Sequence, residues 1–138
     1  MPLKLSLKPK EAVVVNGAVL RNGERRGTIL LQNQARVLRQ KDVLDPDETR
    51  SAEEHLYFAV MQMYLTGQTE GQLYDQAVMA IAAALNETKK EDVRAHIVEI
   101  SAACAAGQTY QALSLCRKLL KAAEVGNGGS VEYDRASL

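Results

Sequence analysis

The sequence predicts an α+β fold: a small antiparallel β part of four or five short strands, followed by a four-helix bundle. Three observations carry this. The apolar period changes from two to about 3.6 near Asp45-Pro46. Asn-Gly pairs punctuate the stretch before that point. After it, cap-forming residues and glycines alternate as starts and stops. The chain has 138 residues, of which 46% are apolar and 25% charged, as in ordinary globular domains. A chain of this length buries roughly two-thirds of its unfolded surface, so its core needs neither disulfide nor metal.

The strands come first. Leu3, Leu5 and Leu7 alternate with Lys4, Ser6 and Lys8, the pattern of a strand with one buried face. Ala12-Val13-Val14-Val15 is β-branched and suits a second strand. Asn16-Gly17 then fits a two-residue hairpin turn, because both residue types accept positive φ. Val19-Leu20-Arg21 returns, and a second Asn-Gly pair, Asn22-Gly23, predicts another turn. Thr28–Leu31 and the segment Ala35–Arg39 complete the set.

The helices follow. Asp45-Pro46-Asp47-Glu48 has the cap, the first-turn proline and the returning carboxylate of a helix start. The expected helix runs to about Leu65 and ends at Gly67. Thr69-x-x-Gln72 and Thr88-x-x-Glu91 read as two more capping boxes. Gly107 stops the third helix and Thr109 opens the last, which runs to about Glu124. Leu56, Val60, Ile81, Leu85, Ile97, Ile100, Leu113 and Leu120 are the expected core positions. Gly126-Asn127-Gly128-Gly129 and the polar end have nothing to bury. The expected organisation is therefore a basic β-rich part over 1–44, an acidic helical bundle over 45–125, and a mobile tail over 126–138.

The net charge is zero, but its distribution is uneven. Residues 1–41 hold nine Lys/Arg against two acidic residues, a net of +7. Residues 42–92 hold three against eleven, a net of −8. A basic segment on an otherwise acidic chain suits a polyanion-seeking surface; charge alone equally fits a solvated face paired with the acidic helices. No acidic residue occurs between Glu24 and Asp42. Lys8, Arg21, Arg25, Arg26, Arg36, Arg39 and Lys41 are the candidate contacts of that surface.

Catalytic and cofactor signatures are missing from the sequence. His55 and His96 form no His-Glu-x-x-His pair, and no phosphate loop, dinucleotide fingerprint or nucleophile elbow occurs. A non-enzyme without metal or cofactor is expected. Cys104 and Cys116 have neither Cys-x-x-Cys spacing nor a secretion signal beside them, so two buried thiols in the cytoplasm are expected. No apolar run reaches the ~20 residues a bilayer demands, so no membrane association is expected. All six Phe and Tyr residues lie beyond the basic segment. Bases would find no stacking platform there, leaving Lys, Arg and strand backbone to hold a nucleic acid.

Met1-Pro2-Leu3-Lys4-Leu5-Ser6-Leu7-Lys8-Pro9 and the run Val13–Gly23 strongly resemble the FlbT family of flagellar biosynthesis regulators. Leu30–Ala35, Leu38-Arg39, Asp42-Val43-Leu44 and Tyr57-Phe58-Ala59-x-x-x-Met63-Tyr64 continue the likeness, which spans the chain to about Leu120. The resemblance implies a post-transcriptional repressor that associates with the 5′ untranslated leader of flagellin messenger RNA and promotes its decay or blocks its translation. In some bacteria, family members instead favour flagellin production. The first third also looks like the CsrA family of RNA-binding translational repressors, through Glu11–Val15 and Val37-Leu38-Arg39. On that likeness Arg39 falls on an RNA-contacting arginine, whereas Leu7 replaces the basic residue of the first strand. The alternative is an adaptor or chaperone-like protein whose acidic helices bind flagellin or another flagellar regulatory protein. A homo-oligomer is a further expectation.

Overall fold

The computed structural model describes residues 3–126. It is α+β, with five short antiparallel strands followed by four helices. The tail expected over 126–138 lies, apart from Gly126, outside the described residues. The chain divides after Val43 into two compact units.

The first unit contains β1 (Leu3–Leu7), β2 (Ala12–Val15), β3 (Ala18–Arg21), β4 (Gly27–Leu31) and β5 (Val37–Arg39). β1 pairs with β4, and β2 lies between β3 and β5 in a second sheet. Alternation explains the core. Leu5 and Leu7 of β1 cluster with Val13 of β2, and Val15, Ile29, Leu31 and Val37 pack against them. Lys4, Ser6, Thr28 and Leu30 alternate with these positions and are exposed.

Asn16 and Gly17 adopt φ of 50° and 86°, the paired positive values of a type I′ turn, and they join β2 to β3. The second Asn-Gly pair does something else. Gly23 is not among the residues with positive φ. Asn22 instead turns its side-chain amide on three carbonyls, those of Leu7, Lys8 and Arg25, at 3.2, 2.8 and 2.9 Å. The expected turn is thus a five-residue loop, 22–26, pinned by one asparagine.

The second unit contains α1 (Ala52–Thr66), α2 (Gln72–Glu87), α3 (Glu91–Ala105) and α4 (Thr109–Gly126). α1 packs on α2 and α4, and α3 packs on the same two, so the four close in a ring. α1 is buried along most of its surface: Leu56, Tyr57, Ala59, Val60, Met61, Met63 and Tyr64. The other helices bury narrower stripes, such as Ala77, Ile81 and Ala84 of α2. Tyr64 and Tyr110 meet with ring centroids 5.6 Å apart, tying α1 to α4.

The helix boundaries correct three expectations. Asp45 forms a complete capping box, but on a three-residue 3-10 turn, Pro46–Glu48. α1 starts at Ala52, behind a second box in which Ser51 and Glu54 bond reciprocally. Thr69 caps nothing; Gly71 precedes α2 with φ of 82° and has no side chain to offer. Thr88 ends α2, and Lys90 occupies the cap of α3 without a side-chain bond. The expected stops hold, with Gly67 and Gly107 at φ of 74° and 75°. Of the expected core, Leu56, Val60, Ile81, Ile97, Ile100 and Leu113 are buried. Leu85 and Leu120 are only half-buried, because neighbouring Ala84 and Leu119 take the inward positions.

Candidate nucleic-acid interface

Strand direction decides which basic residues meet. β1 and β3 run toward one end of the first unit, and β2 and β4 run away from it. β5, antiparallel to β2, runs toward it again. That end therefore collects three connections: turn 8–11, loop 22–26 and the 3-10 turn Gln40–Asp42. They are bonded to one another. Lys10 N–H donates to the Gly23 carbonyl and Asn22 N–H to the Glu11 carbonyl, both at 2.8 Å. Asn22 holds Leu7, Lys8 and Arg25 as described above. Gln40 Oε1 accepts from Ala12 N–H at 2.7 Å, bringing the last connection to the start of β2.

Lys8, Arg21, Arg25, Arg26 and Lys41 all lie at this end, and all are exposed. A sixth exposed cation, Lys10, joins them and had not been singled out by the sequence. Its backbone explains its place. Glu11 N–H donates to the Lys8 carbonyl across Pro9 and Lys10, and Lys10 adopts φ of 63°. Proline second and positive φ third is the type II turn pattern, in which the third position normally goes to Gly or Asn. A lysine there accepts backbone strain and projects from the tip. The signal was present in Lys8-Pro9-Lys10-Glu11, as a proline turn bracketed by lysines.

Three acidic residues, Glu11, Glu24 and Asp42, share this end with the six cations. Glu11 is turned inward, with one oxygen accepting from Lys8 N–H at 2.8 Å and the other 3.6 Å from Arg39. Arg21 donates to the Lys10 carbonyl at 2.7 Å, which fixes its guanidinium beside the turn. Glu24 is the exposed acid of loop 22–26. Six exposed cations thus lie at one end of the unit, beside loops whose backbone is already hydrogen-bonded; side chains so placed can donate to anionic oxygens.

Two of the seven sequence candidates stand apart. Arg36 lies at the opposite end, where its N–H donates to Asn16 Oδ1 and its carbonyl accepts from Asn16 N–H, both at 2.8 Å. Arg39 is half-buried and serves as a brace, with its guanidinium 3.0 Å from the Ser6 carbonyl and in ion-pair range of Glu11. Leu7, at the position where the CsrA family carries a basic residue, is 2% exposed and belongs to the core.

In the helical unit, burial raises the Cys104 thiol to about 11, and burial followed by the neighbouring Cys104 raises Cys116 as well. Neither thiol is a nucleophile at neutral pH. No group of three metal-ligating side chains occurs among the described residues.

The model of the family described as flagellar protein FlbT matches residues 3–125. The chain belongs to the FlbT family. It is 42% identical over 121 residues to the flagellum biosynthesis repressor protein FlbT of Caulobacter vibrioides, a match covering 88% of this chain and 86% of that one. It is 32% identical over 124 residues to a Rhodopseudomonas palustris protein named "Probable flagellum biosynthesis repressor protein FlbT", covering 90% and 96%. No solved structure matches the chain. Among the described residues, no helix is long and apolar enough to cross a membrane.

Proposed function

We propose that this FlbT-family protein is a non-enzymatic cytoplasmic regulator that represses flagellum biogenesis by binding the 5′ untranslated leader of flagellin messenger RNA. Binding then promotes decay of the message or blocks its translation. The observation behind this reading is the gathering of Lys8, Lys10, Arg21, Arg25, Arg26 and Lys41 at one end of the β unit. The relatives' repressor names support the regulatory half of the reading. The absence of aromatic residues from residues 1–43 supports a site that grips phosphates rather than stacking bases.

Filter binding of the purified protein to a flagellin leader, across a salt series, tests the proposal. Affinity for single-stranded RNA should fall with salt by roughly 0.7 in log–log slope per phosphate contact. Leader should be preferred over a control RNA of equal length. Absence of binding at low salt by folded protein would overturn it.

One observation favours the adaptor reading as a second. α2 leaves Val78 and Met79 exposed, Met79 at 71%, in the half of the protein expected to bind flagellin or another flagellar protein. If Met79→Glu abolishes co-purification of a flagellar protein while RNA binding persists, that second reading stands.

A further inference from the structure

All four residues of β3 are exposed, Val19 at 68% and Leu20 at 41%. Among the described residues the strand pairs with β2 alone, which leaves its other edge open. The register tells which backbone groups face that opening. Val15 and Ala18 flank a two-residue turn and so exchange hydrogen bonds, as do Val13 and Leu20 two residues on. The Asn22 N–H bond to the Glu11 carbonyl continues the same alternation. The N–H and C=O groups of Val19 and Arg21 therefore point away from β2. Open edges are ordinarily blunted by charged side chains, lysine above all, by proline or by a bulge. Ala18-Val19-Leu20-Arg21 carries a single charge, Arg21 at its last position, and neither lysine, proline nor bulge.

We propose that β3 pairs antiparallel with β3 of a second copy of this chain, about a two-fold axis through Leu20. In that register Val19 of each copy exchanges both backbone hydrogen bonds with Arg21 of the other, so every outward-pointing group of Val19 and Arg21 is used. The two Leu20 side chains stand side by side as a non-hydrogen-bonded pair, on the face that Val13 turns to the core. Charge favours the same register. Centring the pair on Arg21 would set like charges opposite each other, whereas centring it on Leu20 sets each Arg21 against a valine. The strand is thus its own complement, and a second copy is the partner it fits. The sheet β3-β2-β5 becomes one half of a continuous sheet, with the two basic ends pointing in opposite directions. This inference does not depend on the RNA reading.

Sedimentation equilibrium of the full chain tests it. The wild type should sediment at twice the chain mass of 15.1 kDa. Val19→Lys places a lysine opposite Arg21 of the second copy, twice by symmetry, and should raise the dissociation constant about tenfold or more. Val19→Glu places a carboxylate there and should leave it unchanged or lower it. Val19→Pro removes an outward N–H and no hydrogen bond to β2, and should also dissociate the pair. Val19 is exposed, so circular dichroism should be unchanged in the Lys and Glu variants; if the proline variant unfolds, those two decide. A wild type that sediments as a single chain overturns the proposal. So does equal dissociation by Lys and Glu, or a dimer indifferent to both.

Discussion

The β unit and the helical unit differ in where they spend their polar side chains. In the β unit, side chains tie loops to backbone: Asn22 holds three carbonyls, Arg39 holds Ser6, and Gln40 holds Ala12. In the helical unit Arg94 reaches the Leu85 and Thr88 carbonyls and His96 meets the Leu115 carbonyl, but the helices close on apolar residues such as Leu56, Ile97 and Leu113. A small sheet pair has few residues to bury, so hydrogen-bonded loops must carry much of its order. The difference teaches where each unit is vulnerable. Helices should fail through cavities, and the basic end should fail through lost loop bonds.

The largest effect is expected in the helical core. Leu56 and Ile97 are fully buried, and either residue replaced by alanine should cost ~2–5 kcal/mol in chemical denaturation. Asn22→Ala comes next, at about 1–3 kcal/mol for carbonyls left without their donor. It should also weaken RNA binding, though no charge is removed, because the turn carrying Lys8 and the loop carrying Arg25 separate. Unchanged binding in that variant would show that the loops need no common anchor.

Lys10→Gly should divide stability from binding. Glycine accepts the positive φ that strains lysine, so stability should rise by about 0.5–1 kcal/mol, while the salt slope flattens by roughly the 0.7 of one phosphate contact. A variant that loses both would place Lys10 in the fold rather than the site.

The smallest effect near neutral pH belongs to the thiols. Burial holds Cys104 near 11 against an ordinary 9.0. The folded state therefore keeps its proton where the unfolded state has lost it. That contribution is intact below pH 9 and is lost as pH rises toward 11. Thermal denaturation across this range should show the decline, and Cys104→Ala should reduce it.

The sequence made some of this legible and hid the rest for identifiable reasons. The Asn16-Gly17 turn was readable because its positive φ values are set by those two residues alone. Asp45 and Ser51 are both sound caps; local chemistry does not say which of two caps a long helix will use. Leu85 lost its expected place to Ala84 because α2 is apolar at adjacent positions, and only packing fixes its rotation. Charge summed along the chain places Arg36 with the other cations. Strand reversals sort residues by end, not by distance in sequence, and they put Arg36 with Asn16. What brings Lys10 forward is its turn conformation, not its charge, and a charge count does not reveal that conformation.

The proposed RNA site is one end of the β unit and not its whole basic surface. The direct test compares two variants by leader binding across a salt series. Arg25→Ala combined with Arg26→Ala removes two cations from that end, and Arg36→Ala removes one from the other. The double variant should flatten the log–log slope by roughly one to two units, while Arg36→Ala should leave the slope at the wild-type value. Equal flattening per charge removed at the two ends would contradict that placement.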